Sequence, residues 1–116
     1  MDSILTSVKR GLGGMDKSYT AFDAEIIMDI NTVFSTLTRM GIGPEGGYSI
    51  KDSSATWTDY IGDLSKIEML KTYVTLRTKL LFDPPQSSVH LGLIKEQIAE
   101  LEWSLHKELD RTEWGK

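Results

Sequence analysis

Apolar side chains return every three or four residues over three long stretches of this chain, the spacing of one face of an α-helix. In the first stretch Phe22, Ile26, Ile30, Val33, Leu37 and Met40 follow one another, and Ile27 and Phe34 widen the stripe. In the second, Ile67, Leu70, Val74 and Leu81 form one row, and Tyr73, Leu76 and Leu80 form an adjoining one. The two rows cover more than half the circumference, which marks this stretch as the central helix. In the third, Val89, Leu93, Ile94, Ile98, Leu101, Leu105 and Leu109 predict a buried stripe from about Ser88 to Asp110. Such a helix is ~33 Å long at 1.5 Å per residue. A shorter piece, 2–10, places Ile4, Leu5 and Val8 at helical spacing before Gly-Leu-Gly-Gly at 11–14 ends it. It reads as a short, loosely held helix.

Polar residues and prolines set the expected boundaries. Thr20 with Asp23, and Ser65 with Glu68, have the spacing of capping boxes, in which each side chain satisfies the other residue's free N–H. Asp23 and Glu25 also suit the positive end of a helix dipole. Gly41 and Gly43 end the first long helix. Asp83 precedes Pro84 and Pro85, and a residue before proline is pushed out of the α conformation, so the second ends near Phe82. The helices are therefore expected near 20–40, 65–82 and 88–110. A rigid Pro-Pro corner fixes the angle between the last two.

Residues 41–64 keep no sustained period, and an irregular segment so much longer than the usual loop of about 4–6 residues is ordinarily functional or disordered. Tyr48, Ile50, Trp57, Tyr60 and Ile61 make it too apolar for a solvated linker. The alternation in Tyr-Ser-Ile-Lys-Asp, 48–52, predicts a short strand or β-hairpin. Thr-Trp-Thr-Asp-Tyr-Ile-Gly, 56–62, predicts one helical turn capped by Thr56 and stopped by Gly62. The expected fold is all-α: one domain over 1–116, a small antiparallel helical bundle with a long irregular loop and a long C-terminal helix.

Composition narrows the function classes. With 116 residues the chain can bury a modest core. It has no cysteine, which removes disulfides, thiolate metal sites and cysteine nucleophiles. Thirteen basic residues stand against 17 acidic ones, for a net charge of −4. The densest basic run is Val-Lys-Arg at 8–10, too little for the basic patch that neutralises nucleic-acid phosphates. The apolar runs are far shorter than the ~20 residues that span a membrane. The first ten residues lack the basic start and apolar core of a signal peptide. The reading is a soluble, unexported protein.

Candidate chemistry is sparse. Gly-Leu-Gly-Gly lacks the Gly-Lys-Ser/Thr ending and the preceding strand of a phosphate loop, and a glycine-rich helix stop explains it. His90 and His106 stand sixteen residues apart on one helix, ~24 Å if it is straight, and cannot share a metal. Glu102 and His106 lack the second Glu-x-x-His that a di-metal bundle needs. Ser87 and Ser88 near His90 are explained by helix capping. No catalytic residue, metal or cofactor is expected, and the protein is read as a non-enzyme. The tryptophans carry more weight, because tryptophan is enriched at interface hot spots. Trp103 falls beside the core stripe; Trp57 lies in the long loop, where packing as a plug over the helices is the favoured reading; and Trp114 lies in the tail beyond the last stripe leucine, where a partner contact is favoured. The candidate partner-interface residues are Tyr48, Ile50, Trp57, Tyr60, Trp103, Lys107, Arg111 and Trp114. Charge is uneven as well: 65–82 carries Lys66, Lys71, Arg77 and Lys79 against Glu68, whereas 88–111 is mainly acidic. Such asymmetry fits copies joined head to tail, and it fits ordinary pairing within the chain equally.

The chain resembles the phage head–tail connectors, the adaptors that sit beneath the portal. The resemblance is carried by "TAFDAEIIMDINTVFSTLTRMGIGPEGGYSI", "SATWTDYIGD", "LKTYVTLRTKLLFDPPQSS" and "IKEQIAELEWSL". It implies a structural virion protein that forms a homo-oligomeric ring of roughly a dozen copies. The ring would dock on the portal protein, extend the DNA channel and present loops to a tail-side stopper or completion protein. Genome DNA would pass through without sequence-specific binding. Location in the virion neck, after assembly in the host cytoplasm, follows from the same resemblance. Two rivals share the composition: a non-viral helical adaptor or regulatory subunit, and a small mutase-type enzyme using Arg39, Lys71 and Arg77 on an acidic ligand.

Overall fold

The computed structural model describes residues 3–13, 18–61 and 64–109, the side chains of 64–66, 108 and 109 excepted. Five helices follow in order: α1 (Ile4–Gly11), α2 (Asp23–Arg39), α3 (Trp57–Tyr60), α4 (Leu64–Phe82) and α5 (Ser88–Leu109). The described residues contain no β-strand. The all-α expectation and the long C-terminal helix both hold. Helix α4 is the hub, with α1, α2, α3 and α5 all packed against it. Its buried residues Ile67, Leu70, Tyr73 and Val74 meet Ile26, Ile30, Val33, Phe34 and Leu37 of α2. Each such side chain taken from water contributes about 1.5–3 kcal/mol.

Helix α1 is held much more firmly than its length suggests. Ile4, Leu5 and Val8 are buried in the main core. Gly11 lets α1 approach α4 closely, because a Cβ there would stand only 2.4 Å from Thr75 Cγ2. Lys9, part of the densest basic run in the sequence, is 1% exposed. Its ammonium donates to the Tyr19 carbonyl at 2.6 Å and pairs with Asp23 Oδ1 at 2.8 Å. This ion pair ties the end of α1 to the start of α2.

The same pair explains a missed boundary. The expected Thr20–Asp23 capping box does not form; α2 starts at Asp23, and Phe22 is its N-cap without a side-chain cap bond. The Asp23 carboxylate is engaged by Lys9 instead of reaching back to Thr20. The Ser65–Glu68 box does not open its helix either, since α4 already includes Leu64, and the Ser65 side chain lies outside the described residues. At α3 the cap was read correctly. Thr56 is the N-cap, and its N–H donates to Asp59 Oδ2 at 2.8 Å. Gly62, the expected stop, lies outside the described residues.

The long loop folds back onto the helices. The strand or hairpin expected at 48–52 is absent, because Ile50 satisfies its backbone on a side chain. Its N–H donates to Asn31 Oδ1 at 2.8 Å, and its carbonyl accepts from Asn31 Nδ2 at 3.0 Å. An isolated bridge joins Ser3 to Thr56, and Ile4 N–H donates to the Ala55 carbonyl at 2.9 Å. Gly43, at φ +91°, lies against the Tyr60 ring and hydroxyl, where a Cβ would stand 2.6 Å from the oxygen. Only glycine fits that backbone and that contact.

Four residues assigned to buried stripes are exposed, Phe22, Leu81, Val89 and Leu93, and Leu80 and Leu101 are only half-buried. Phe82 turns toward α2 and meets Phe22 edge-on at 5.7 Å, which leaves its neighbour Leu81 facing outward. Helix α5 packs chiefly on α4. A single neighbour covers one narrow row, so the wide stripe read from the sequence splits into a covered and an uncovered part.

A candidate interface on the last helix

The chain reverses between Phe82 and Ser88. Asp83 N–H still donates to the Lys79 carbonyl at 2.8 Å, closing α4. After the prolines Ser87 caps α5, its hydroxyl accepting from His90 N–H at 3.3 Å. Helix α5 then carries two distinct rows. Ile94, Ile98, Leu101 and Leu105 recur at steps of four, three and four and face the core. Val89, Leu93, Glu96, Glu100, Trp103 and Lys107 recur in the same rhythm on the opposite side, and all six are exposed.

The covered row is locked by a polar clamp. Tyr73 O–H donates to Glu102 Oε2 at 2.8 Å, Arg77 Nη2 donates to the same oxygen at 2.5 Å, and Arg77 Nε donates to the Tyr73 oxygen at 3.1 Å. Burial raises the Tyr73 hydroxyl, and donation to the Glu102 carboxylate adds to this, taking its pKa to about 12. Burial acts to raise Glu102 too, but hydrogen bonds from Arg77 and Tyr73 outweigh it and leave the carboxyl below its ordinary value. For Arg77 burial works against the charge, while Glu102 and Tyr73 more than restore it. The clamp fixes the rotation of α5, and so fixes which row is presented outward.

That outward row is unusual in its large side chains. Val89 is 73%, Leu93 56% and Trp103 66% exposed. Lys107 Nζ lies 5.1 Å from the Trp103 ring centre, a cation–π contact at the surface. Beside it an open cleft of about 490 Å³ runs along Ala99, Glu100, Trp103 and Ser104. Gly92, an exposed residue of the same helix, has open space where a Cβ would be. A glycine within an exposed helix costs about 1 kcal/mol against alanine, and nothing inside the chain requires this one.

The other candidates have different fates. Trp57 is fully buried, and its indole N–H donates to Ser7 Oγ at 2.8 Å. Phe34, Tyr48 and Tyr60 form a cluster of rings with centres 4.6–5.2 Å apart. Tyr60 and Ile50 are buried, and Tyr48 is half-buried. The apolar side of the loop is thus engaged in the chain's own core, and its exposed part before α3 is polar, at 45–46, 49 and 51–54. Arg111 and Trp114 lie outside the described residues. Trp103 and Lys107 are the sequence candidates that the structure brings together at the surface. The clamp was not found from sequence, because Arg77 and Glu102 are 25 residues apart and no local spacing joins them.

The three basic residues of the mutase reading are directed to different partners. Arg39 donates to Thr36 Oγ1, Lys71 lies near Glu68, and Arg77 belongs to the clamp. Among the described residues no cluster of histidine and acidic side chains could hold a metal, and no helix is long and apolar enough to cross a membrane.

A family model described as phage connector protein matches residues 4–112, nearly the whole chain. The chain belongs to the phage connector protein family. It is a structural family, which speaks against an enzyme. No curated protein and no solved structure matches the chain. The match takes in all five helices of the connector, including the outward row of α5.

Proposed function

We propose that this connector acts as a head–tail adaptor. Copies associate into a ring of roughly a dozen subunits that docks beneath the portal and extends the DNA channel toward a tail-side stopper or completion protein. The observation that carries this reading is the family match across residues 4–112. The net charge of −4 agrees with a channel wall that DNA passes without sticking. The exposed apolar row of α5 agrees with a protein whose surface is completed by neighbours. In this role the protein resides in the virion neck, and its partners are further copies of itself, the portal and a tail-side protein.

The test is direct. Purified connector is mixed with the portal ring of the same phage and imaged by electron microscopy. A coaxial ring of extra density on one end of the portal is expected. Portals that remain bare, together with absence of the protein from purified necks, would overturn the reading.

A further inference from the structure

The outward row of α5 raises the question of what covers it, and its own charges answer part of it. Suppose two copies paired through this row about a two-fold axis with their helices antiparallel. Matching Leu93 with Trp103, and Val89 with Lys107, sets Glu96 opposite Glu100 twice over. Suppose instead that the helices ran parallel. Glu96 would then meet Glu96, and Glu100 would meet Glu100. Both symmetric pairings bring four carboxylates together between the apolar ends, and like charges in that position repel. The row is therefore unsuited to its own copy and suited to a different, cationic surface.

Such a surface exists elsewhere on the chain. Tyr73 and Arg77 take one side of α4 to α5. Around the helix from them, Thr72, Thr75 and Lys79 share another side. There α4 and α1 enclose an open groove of about 200 Å³, lined by Ser7, Lys71, Thr72, Thr75 and Leu76. Thr72 is exposed, and Leu76, Lys71 and Lys79 are partly buried. Lys71 meets Glu68 only at 3.7 Å, with the ammonium side chain 22% and the carboxylate side chain 84% exposed. A long ion pair with one partner this open to water contributes little and is readily exchanged for another.

We propose that the occupant of the α1–α4 groove is the outward row of α5 from a second copy of this chain. Trp103 seats against Thr72, Thr75 and Leu76, and Glu96 and Glu100 face Lys71 and Lys79. The two surfaces are different patches, so the contact is head-to-tail, and such contacts propagate from copy to copy until they close. The aromatic side chain supplies the anchor, and the carboxylate–ammonium contacts set register and polarity. Closure into a ring rests on the adaptor reading above; the identity of the two faces rests on the charges and the groove.

The absence of cysteine from the chain makes a clean test available. Thr72→Cys and Ala99→Cys are both at exposed helical positions, and circular dichroism of each variant is expected to match wild type. Necks purified from particles are treated with a short bis-maleimide and run on denaturing gels. The double variant is expected to give a ladder of dimers, trimers and larger products. Each single variant should give monomer, and necks assembled from a mixture of the two should give dimers without a ladder. Dimers from Ala99→Cys alone would mean a symmetric α5 contact and overturn the inference. Monomer alone from necks that contain the double variant would also overturn it, while leaving the adaptor reading in place. Absence of the wild-type protein from necks would overturn both. As an independent readout, Glu96→Lys with Glu100→Lys should abolish ring assembly, and adding Lys71→Glu with Lys79→Glu should restore it. No restoration from folded protein counts against the pairing.

Discussion

Tyr73 and Arg77 donate to the same oxygen of Glu102, and that convergence controls how α5 responds to acid. The carboxyl titrates below its ordinary value in the folded protein. A depressed folded pKa contributes stability that is present above the unfolded pKa and is lost as pH falls through the folded one. Glu102→Gln removes the titrating charge and keeps most of the shape. It should cost about 1 kcal/mol at neutral pH, less than a fully buried charged hydrogen bond because the pair is about one-third exposed. Urea denaturation at pH 7 and at ~pH 3 should show the gap between wild type and variant closing in acid. A gap of equal size at both pH values would mean that Glu102 does not titrate with folding. At the alkaline end the sign reverses for Tyr73. Its pKa is raised to about 12, so the stability it contributes is present below its unfolded pKa and fades as pH rises through that value.

Helix α5 depends on a narrow contact and a fixed corner. Its inner row, Ile94, Ile98, Leu101 and Leu105, and the Glu102 clamp hold it to α4, while Pro84 and Pro85 constrain the turn that delivers it. Neither proline lies in an apolar row, so the helices do not need them to form. Replacing both by alanine removes the restriction on Asp83 and widens the angles open to the turn. The far-ultraviolet circular dichroism of that double variant should match wild type, whereas its incorporation into particles should fall. Normal incorporation would show that the corner is not required for assembly. The same helix teaches a lesson about reading stripes. Val89 and Leu93 belong to the apolar pattern as fully as Ile94 and Ile98, yet only the latter pair is covered. A helix resting mainly on one neighbour hides about one row, and the pattern alone does not say which row is hidden.

The whole molecule presents its polar loop tips and the outward row of α5, and keeps the aromatic residues of the loop inside. The 111–116 tail, with Arg111 and Trp114, follows the last described residues. By the connector resemblance it is proposed to contact the portal. Deleting 111–116 should leave the melting temperature nearly unchanged, since the segment lies beyond Leu109, the last residue of the apolar stripe read from the sequence. It should weaken docking onto the portal by roughly thirtyfold, as loss of a desolvated tryptophan costing about 2 kcal/mol implies. Calorimetry and portal binding together check this. A lower melting temperature would place the tail in the core, and unchanged docking would place the portal contact elsewhere.

Much of this protein is legible in one dimension. The all-α class, the extents of α2, α4 and α5 to within a few residues, the Thr56 cap and the Pro-Pro corner all depend on side chains a few positions apart. Local sterics and hydrogen bonding act over that range, so the sequence by itself determines them. The family resemblance was legible for the same reason, since it rests on short segments in a fixed order. Contacts between distant segments needed the tertiary structure. It decided that Lys9 is buried against Asp23, which displaced the Thr20 cap. It decided that Asn31 receives the backbone of Ile50, which removed the expected strand. It also enclosed Trp57 and Tyr60 within the core and left Trp103 outside. Trp57, Tyr60 and Trp103 are amphipathic enough for either fate. Burial belongs to the packing of neighbouring elements, and the residue itself specifies only what burial would gain.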